Sequence, residues 1–132
     1  MNRLVPWQRL GTRGVTAVEF ALVFPVFLML VFGVIETGRL MWQQISMQRG
    51  VAIAARCGAL RTTGCVSDNE IMAKAVSASA LSGLVTANVA TPDRTASCGL
   101  KVTASRQFTF ILRVRDIPPI TLSAQACHPF LQ

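Results

Sequence analysis

Arg13-Gly-Val-Thr-Ala-Val-Glu19-Phe20-Ala-Leu-Val-Phe-Pro25-Val-Phe-Leu-Met-Leu-Val-Phe-Gly33-Val-Ile35 is the stretch that decides how this chain is organised. From Phe20 to Ile35 it carries no charge, and one carboxylate, Glu19, stands immediately before that run. Val15 to Ile35 is 21 residues, or roughly 31 Å of helix, against a hydrocarbon core of about 30 Å. An ionised Glu at bilayer depth costs about 2.5–3.5 kcal/mol on insertion scales, so such a residue is seldom kept without a partner. Cutting the chain after Gly14 would create a positive partner group, the α-amino group of Val15.

Outward from this stretch the composition changes. The whole chain is 132 residues with 52% hydrophobic content, enough for one small domain and a single membrane helix. Residues 36–132 read as an ordinary small globular chain, and the expected division is 1–14 as a leader, 15–36 as a membrane helix and 37–132 as an extracytoplasmic domain. A secretory signal peptide fits the basic and apolar regions. However, Glu36-Thr-Gly-Arg39 follows Ile35 where an A-x-A cleavage site would be needed.

The formal charge of +7 does not point to nucleic acid. Arg3, Arg9 and Arg13 precede the apolar run without an acid among them, as expected of a cytoplasm-facing flank. Residues 15–132 keep a net charge of +4, from ten basic and six acidic residues. Those basic residues are spread thinly, with no aromatic interleaving and no nucleic-acid motif. Arg39, Arg49 and Arg56 lie near the other end of the run, so basic residues alone barely set its direction.

The cysteines set the direction better. Cys57, Cys65, Cys98 and Cys127 all follow the apolar run, and an even number in a small extramembrane domain implies two disulfides in an oxidising compartment. Zinc is disfavoured, since there is no C-x2-C pair and the lone His128 adjoins Cys127. No paired His/acid constellation, Gly-rich phosphate loop or metal spacing appears. Neither catalysis nor a cofactor is therefore expected, and His128 reads as a surface tail residue.

The helical pattern continues past the apolar run to about Leu60. Met47, Val51, Ala54 and Gly58 fall on one stripe with Met41, Ile45 and Ala52 nearby, leaving Gln43, Gln44, Gln48 and Arg49 for water. Pro25 is tolerable as a membrane-helix kink, and Glu36 marks the outer boundary, placed to pair with Arg39 at i+3. Ser67-Asp-Asn-Glu70 is a capping box opening a second helix to about Leu81, with Gly83 just beyond. Residues 84–97 read as a loop.

The last third alternates as strand: Leu100, Val102 and Ala104, then Ile120, Leu122, Ala124 and Ala126, with a third strand conceivable over 107–114. A three-strand meander would hold Cys98 and Cys127 at opposite ends of a sheet, roughly 23 Å apart, whereas a disulfide needs a Cα separation of about 4.4–6.8 Å. Pairing 98–105 antiparallel with 120–127 instead sets Cys98 opposite Cys127 and leaves 106–119 as a long apolar tip. Cys57 and Cys65 then close a short loop at the end of the long helix.

Gly14-x4-Glu19-Phe20 before an apolar helix resembles the recognition pattern of prepilin peptidases in the type IV pilin superfamily. More narrowly, residues 13–25, Phe32-Gly-Val-Ile-Glu-Thr-Gly-Arg39, Gln48-Arg-Gly-Val-Ala-Ile-Ala-Ala-Arg56 and Ile120-Thr-Leu-Ser-Ala-Gln-Ala126 are similar to the TadE-like pseudopilins of Tad (Flp) pilus systems. The resemblance implies an α+β, type IV pilin-like fold, with a long N-terminal helix, a shorter second helix and a small C-terminal β-hairpin or sheet. It implies cleavage between Gly14 and Val15, and pairing of Glu19 with the N-terminal amine of a neighbouring subunit, the major pilin being favoured. Expected partners are the prepilin peptidase, the major Flp pilin, other minor pilins, the Tad inner-membrane platform and the membrane. The expected location is the inner membrane, with the C-terminal domain in the periplasm and entry into the pilus open. A role in pilus biogenesis and surface adhesion follows; the alternative is an unprocessed single-pass anchor carrying a periplasmic binding domain.

Overall fold

A computed structural model describes residues 13–80, 82–111 and 118–130. The fold is α+β, in the order α1 (Arg13–Ala59), α2 (Asp68–Ala78), a 3-10 turn (Thr86–Asn88), β1 (Leu100–Phe108) and β2 (Ile120–His128). Two compact units meet between Ile35 and Glu36, inside the span of α1. Of the leader expected over 1–14, residues 1–12 lie outside the described residues.

In the first unit, no residue from 14 to 35 is buried. Many of its large apolar side chains, Phe20, Leu22, Met29 and Leu30 among them, are more than half exposed. The α-helix runs through Pro25. A helix that is apolar all round and has no core of its own to bury in belongs in lipid or among other helices. This segment is long and apolar enough to cross a membrane once.

The second unit is built on the rest of α1. Met47, Gly50, Val51, Ala54, Ala55, Gly58 and Ala59 are buried, a stripe whose successive spacings alternate between three residues and one. Small residues dominate because two elements come close. A Cβ at Gly50 would stand 2.6 Å from both the Ala75 carbonyl oxygen of α2 and the Cβ of Ser79, which caps that helix. A Cβ at Gly58 would stand 2.5 Å from Leu100 and 2.6 Å from Ile71 side-chain atoms. The expected flank of this stripe is corrected: Met41, Ile45 and Ala52 are exposed, because the narrow seam needs little width beyond those small residues.

The capping box of α2 is present in full. Ser67 Oγ accepts the Glu70 N–H at 3.4 Å, and Glu70 Oε2 accepts the Ser67 and Val66 N–H groups, each at 2.9 Å. These amides hold the exposed Glu70 carboxyl below its ordinary pKa, the Ser67 N–H contributing most. The helix stops at Ala78 rather than Leu81. Ser79 donates its hydroxyl to the Ala75 carbonyl at 2.7 Å, and the Ser82 hydroxyl donates to the Ser79 carbonyl at 2.7 Å. Both serines are buried, so their side chains satisfy carbonyls that further helical turns would otherwise use.

The two strands pair antiparallel, with Lys101 opposite Cys127, Val102 opposite Ala126 and Ala104 opposite Ala124. The expected register is therefore shifted by three residues, and Cys98 precedes the strand. Directly opposed residues share a face. Pairing 98 with 127 would have set Val102 and Ala104 against polar Ser123 and Thr121; the observed register sets apolar against apolar. Leu100, Val102, Ala104, Phe108, Leu122 and Ala124 pack with the α1 stripe, Ile71 and Ala75 in one core.

Segment 84–97 is more ordered than a loop. Ala90 donates to the Thr103 carbonyl at 2.9 Å, and Asp93 and Lys101 exchange backbone bonds of 2.9 and 2.8 Å, so this stretch lines the free edge of β1. The outer edge of β2 is met by α1: Gln44 Nε2 donates to the Ser123 carbonyl at 2.7 Å and Gln48 Nε2 to the Gln125 carbonyl at 3.3 Å. Both edges of a sheet that would otherwise invite strand addition are thus occupied. Among the described residues the sheet has two strands, and none forms over 109–111.

Candidate processing and assembly site

Gly14, Val15, Glu19 and Phe20 all lie in the first turns of α1. The Gly14–Val15 bond lies next to the first described residue of α1, Arg13. A Cβ at Gly14 would meet nothing within 4 Å. Among the described residues, neither packing nor backbone conformation calls for glycine there. Val15 and Glu19 are separated by four residues and share a helix face, so an amine at Val15 and a carboxylate at Glu19 would be presented on the same side.

Phe20 stacks on Phe24, one turn further along, with ring centroids 5.1 Å apart. Glu19 is exposed. The ion pairs among the described residues are Glu36–Arg39 and Asp68–Arg94, both at 2.8 Å, and Glu19 is in neither. The site is thus an exposed carboxylate at the mouth of an apolar helix.

The four cysteines sit far along the chain from this site and serve the second unit. Cys57 is bonded to Cys65 with a Cα separation of 5.7 Å, and Cys98 to Cys127 with 6.0 Å. The second pair is offset from the strand register, and the chain reaches it through Gly99, whose φ of 109° lies in the region glycine tolerates without strain. His128 ends β2 opposite Leu100 and is half-buried, a strand residue and not part of a loose tail. No cluster of three His, Cys, Asp or Glu residues able to hold a metal occurs among the described residues.

One cluster was not foreseen in full. Glu36 bonds Arg39 through Oε2 at 2.8 Å and accepts the Ile111 N–H through Oε1 at 2.5 Å. The Arg39 guanidinium lies over the Phe108 ring, 5.6 Å from its centroid, and Phe108 meets Phe110 edge-on at 5.0 Å. The i+3 spacing announces the Glu36–Arg39 pair. Nothing in the local sequence announces a bond spanning 75 positions.

The family model for TadE-like protein matches residues 14–56. Over those residues the chain is similar to TadE-like proteins. The match begins at Gly14 and takes in Val15, Glu19, Phe20, the whole apolar run, Glu36 and the packing stripe of α1 as far as Ala55. No curated protein and no solved structure matched the chain. The TadE-like segment thus joins an exposed apolar helix to the helical half of a core, and the α2–hairpin portion that completes the core lies outside it. One N-terminal apolar helix fits a single-pass membrane protein, and the TadE-like match associates it with Tad pilus systems.

Proposed function

We propose that this chain is a minor pilin, or pseudopilin, acting in the biogenesis of a Tad (Flp) pilus and in the surface adhesion such pili support. Prepilin peptidase cuts between Gly14 and Val15. The mature helix waits in the inner membrane with residues 37–132 in the periplasm, then joins the major Flp pilin and other minor pilins through the Tad inner-membrane platform. The role is assembly and not catalysis. The TadE-like match that starts at Gly14, with Glu19 five residues on, carries this reading.

The chemistry of assembly rests on Glu19. Outside lipid its carboxylate is hydrated; in an apolar helical bundle it needs a cation, and the α-amine of a processed neighbour supplies one. Attraction between the two charges grows as the surrounding dielectric falls, and each removes much of the cost of burying the other.

The deciding measurement is the N-terminal residue of the protein made in a host that carries the cognate peptidase. A start at Val15 that is lost in Gly14→Ala is the expected result. An intact Met1 would favour an unprocessed membrane anchor bearing a periplasmic binding domain. Since a Cβ at position 14 meets nothing, the Gly14→Ala variant leaves the fold alone and tests processing only. Glu19→Leu should be cut normally and fail in assembly; normal piliation by that variant would overturn the charge pairing.

A further inference from the structure

We infer that the outward face of α1 beyond Glu36 is a seam for an acidic helix of a partner protein, seated against Trp42, Ile45, Arg49 and Arg56. These residues all belong to the second unit, so the inference stands apart from the membrane reading of residues 15–36 and from processing at Gly14. One face of this half of α1 enters the core. On the opposite face Trp42, Ile45, Arg49, Ala52 and Arg56 are all exposed. Their spacings of three, four, three and four residues keep them in line along roughly 21 Å of helix. That is the repeat by which one helix packs on another.

A helix face meant only for water carries polar residues. Here Trp42 is 62% exposed and Ile45 51%, and their neighbours on the helix, Met41 and Ile53, are exposed too. Trp and Arg are the residue types in which binding energy most often concentrates. A groove of about 380 Å³ opens alongside, between α1 and the end of α2, lined by Trp42, Ile45, Ser46, Arg49, Ala78 and Ala80. It has room for a large apolar side chain of a docked helix, with the Arg49 guanidinium at its wall.

Charge decides what that helix is. Residues 36–132 hold ten basic and five acidic side chains. Each described carboxylate of the unit is already engaged: Glu36 by Arg39, Asp68 by Arg94, Glu70 by the cap amides and Asp93 by Thr95. Arg49 and Arg56, seven residues apart on the seam, are in neither ion pair of the described residues. Cations taken out of water at an interface need carboxylates opposite them. The partner helix therefore presents Asp or Glu seven residues apart, beside large apolar residues. A second copy of this chain does not fit. Seam against seam, parallel in register or antiparallel about Arg49, the Arg49 guanidinium meets its own counterpart, and like charges so placed repel.

The test places a photo-cross-linking residue in the full chain, in the cells that naturally make it, as Ile45→p-benzoylphenylalanine. The same probe at Val66, exposed but off the seam, is the control. Irradiation should join the Ile45 probe to a different protein, through a peptide with Asp or Glu seven residues apart beside large apolar residues, and the Val66 probe should not reach that peptide. The yield should fall roughly tenfold in Arg49→Glu with Arg56→Glu, since like charges then face each other. It should return when the two partner acids are changed to Lys. Both arginines are exposed, so the thermal midpoint of the double variant should match the parent. Arg49→Lys with Arg56→Lys, which keeps the charge, should retain the cross-link. Joining only to a second copy of this chain, or only to lipid, overturns the inference, and so does the absence of any product. A partner peptide without acids, a yield unmoved by charge reversal, or a failed rescue overturns it as well.

Discussion

The two halves of α1 share one backbone geometry and obey opposite rules of composition. Between residues 14 and 35 nothing is buried; between 47 and 59 a stripe of seven residues is. The glycines make the contrast most plainly. Cβ atoms at Gly14, Gly33 and Gly38 would meet nothing within 4 Å, whereas those at Gly50 and Gly58 would collide with α2 or with core side chains. The first half is composed for an environment that the chain does not contain. The second half is composed for contacts inside the chain. A substitution in one should therefore be read out in assembly or insertion, and a substitution in the other in stability.

Removing a disulfide should break that symmetry hardest. The Cys98–Cys127 bridge spans 29 positions and Cys57–Cys65 spans 8. Loop-closure entropy then assigns roughly 3–4 kcal/mol to the first and roughly 2–3 kcal/mol to the second. Urea unfolding of the full chain in detergent micelles, followed by Trp42 fluorescence in a Trp7→Phe background, should show Cys98→Ser/Cys127→Ser as the larger loss. The helical signal of the apolar half should persist in both variants. Its disappearance together with the domain would mean that the two halves are one cooperative unit.

Next in size is a comparison of three alanine substitutions along the same helix. Gly38→Ala should stabilise slightly, since alanine is the better helix former by about 0.8–1.0 kcal/mol. Gly58→Ala presses on the flexible ends of Leu100 and Ile71, which can yield. Gly50→Ala meets a backbone carbonyl that cannot move without α2, and overpacking of this kind costs about 1–3 kcal/mol. The expected order of unfolding midpoints is Gly38→Ala, then Gly58→Ala, then Gly50→Ala. A Gly50→Ala protein as stable as Gly38→Ala would show that the α1–α2 approach is looser than the structure has it.

Features whose determinants are local were legible in the sequence. The apolar run, the Ser67–Glu70 box, the alternation of both strands and the Glu36–Arg39 spacing each lie within a few residues. The pairing of the cysteines was also within reach, because distance limits excluded a meander. What escaped depends on partners far apart in the chain. The register differs by three residues because the cysteine argument ignored face parity, which Val102, Ala104, Ala124 and Ala126 impose. Gln44 and Gln48 look like solvent residues until a strand edge lies beside them. Helix α2 ends early because Ser79 and Ser82 are buried where hydroxyls can take over carbonyls. At the candidate site, Gly14, Val15, Glu19 and Phe20 stand out by spacing alone, while the Glu36–Ile111 bond has no local signal.

A smaller effect belongs to the α2 cap. Ser67→Ala removes the side-chain acceptor for the Glu70 N–H, a loss of about 1 kcal/mol by the usual cost of an N-cap. It should lower the domain's unfolding midpoint and leave processing at Gly14 unchanged. A processing defect in this variant would show that domain stability reaches the N-terminal half, against the division drawn above.

The smallest expected effect is the dependence on acid, and its sign follows from two exposed carboxylates in the second half. Glu70 is held below its ordinary pKa by the Ser67 and Val66 N–H groups, and Asp93 by the Thr95 hydroxyl and N–H at 2.7 and 2.8 Å. A carboxyl whose folded pKa is depressed adds stability above its unfolded pKa, about 4.3 for Glu and 3.9 for Asp, and loses it as pH falls through the lower folded value. Thermal midpoints should thus be flat from neutral pH to about 5 and decline below about 4. Glu70→Gln with Asp93→Asn should remove most of that slope, because neither amide can be protonated in this range. An unchanged slope in the double variant would move the acid sensitivity away from these two turns and overturn this assignment.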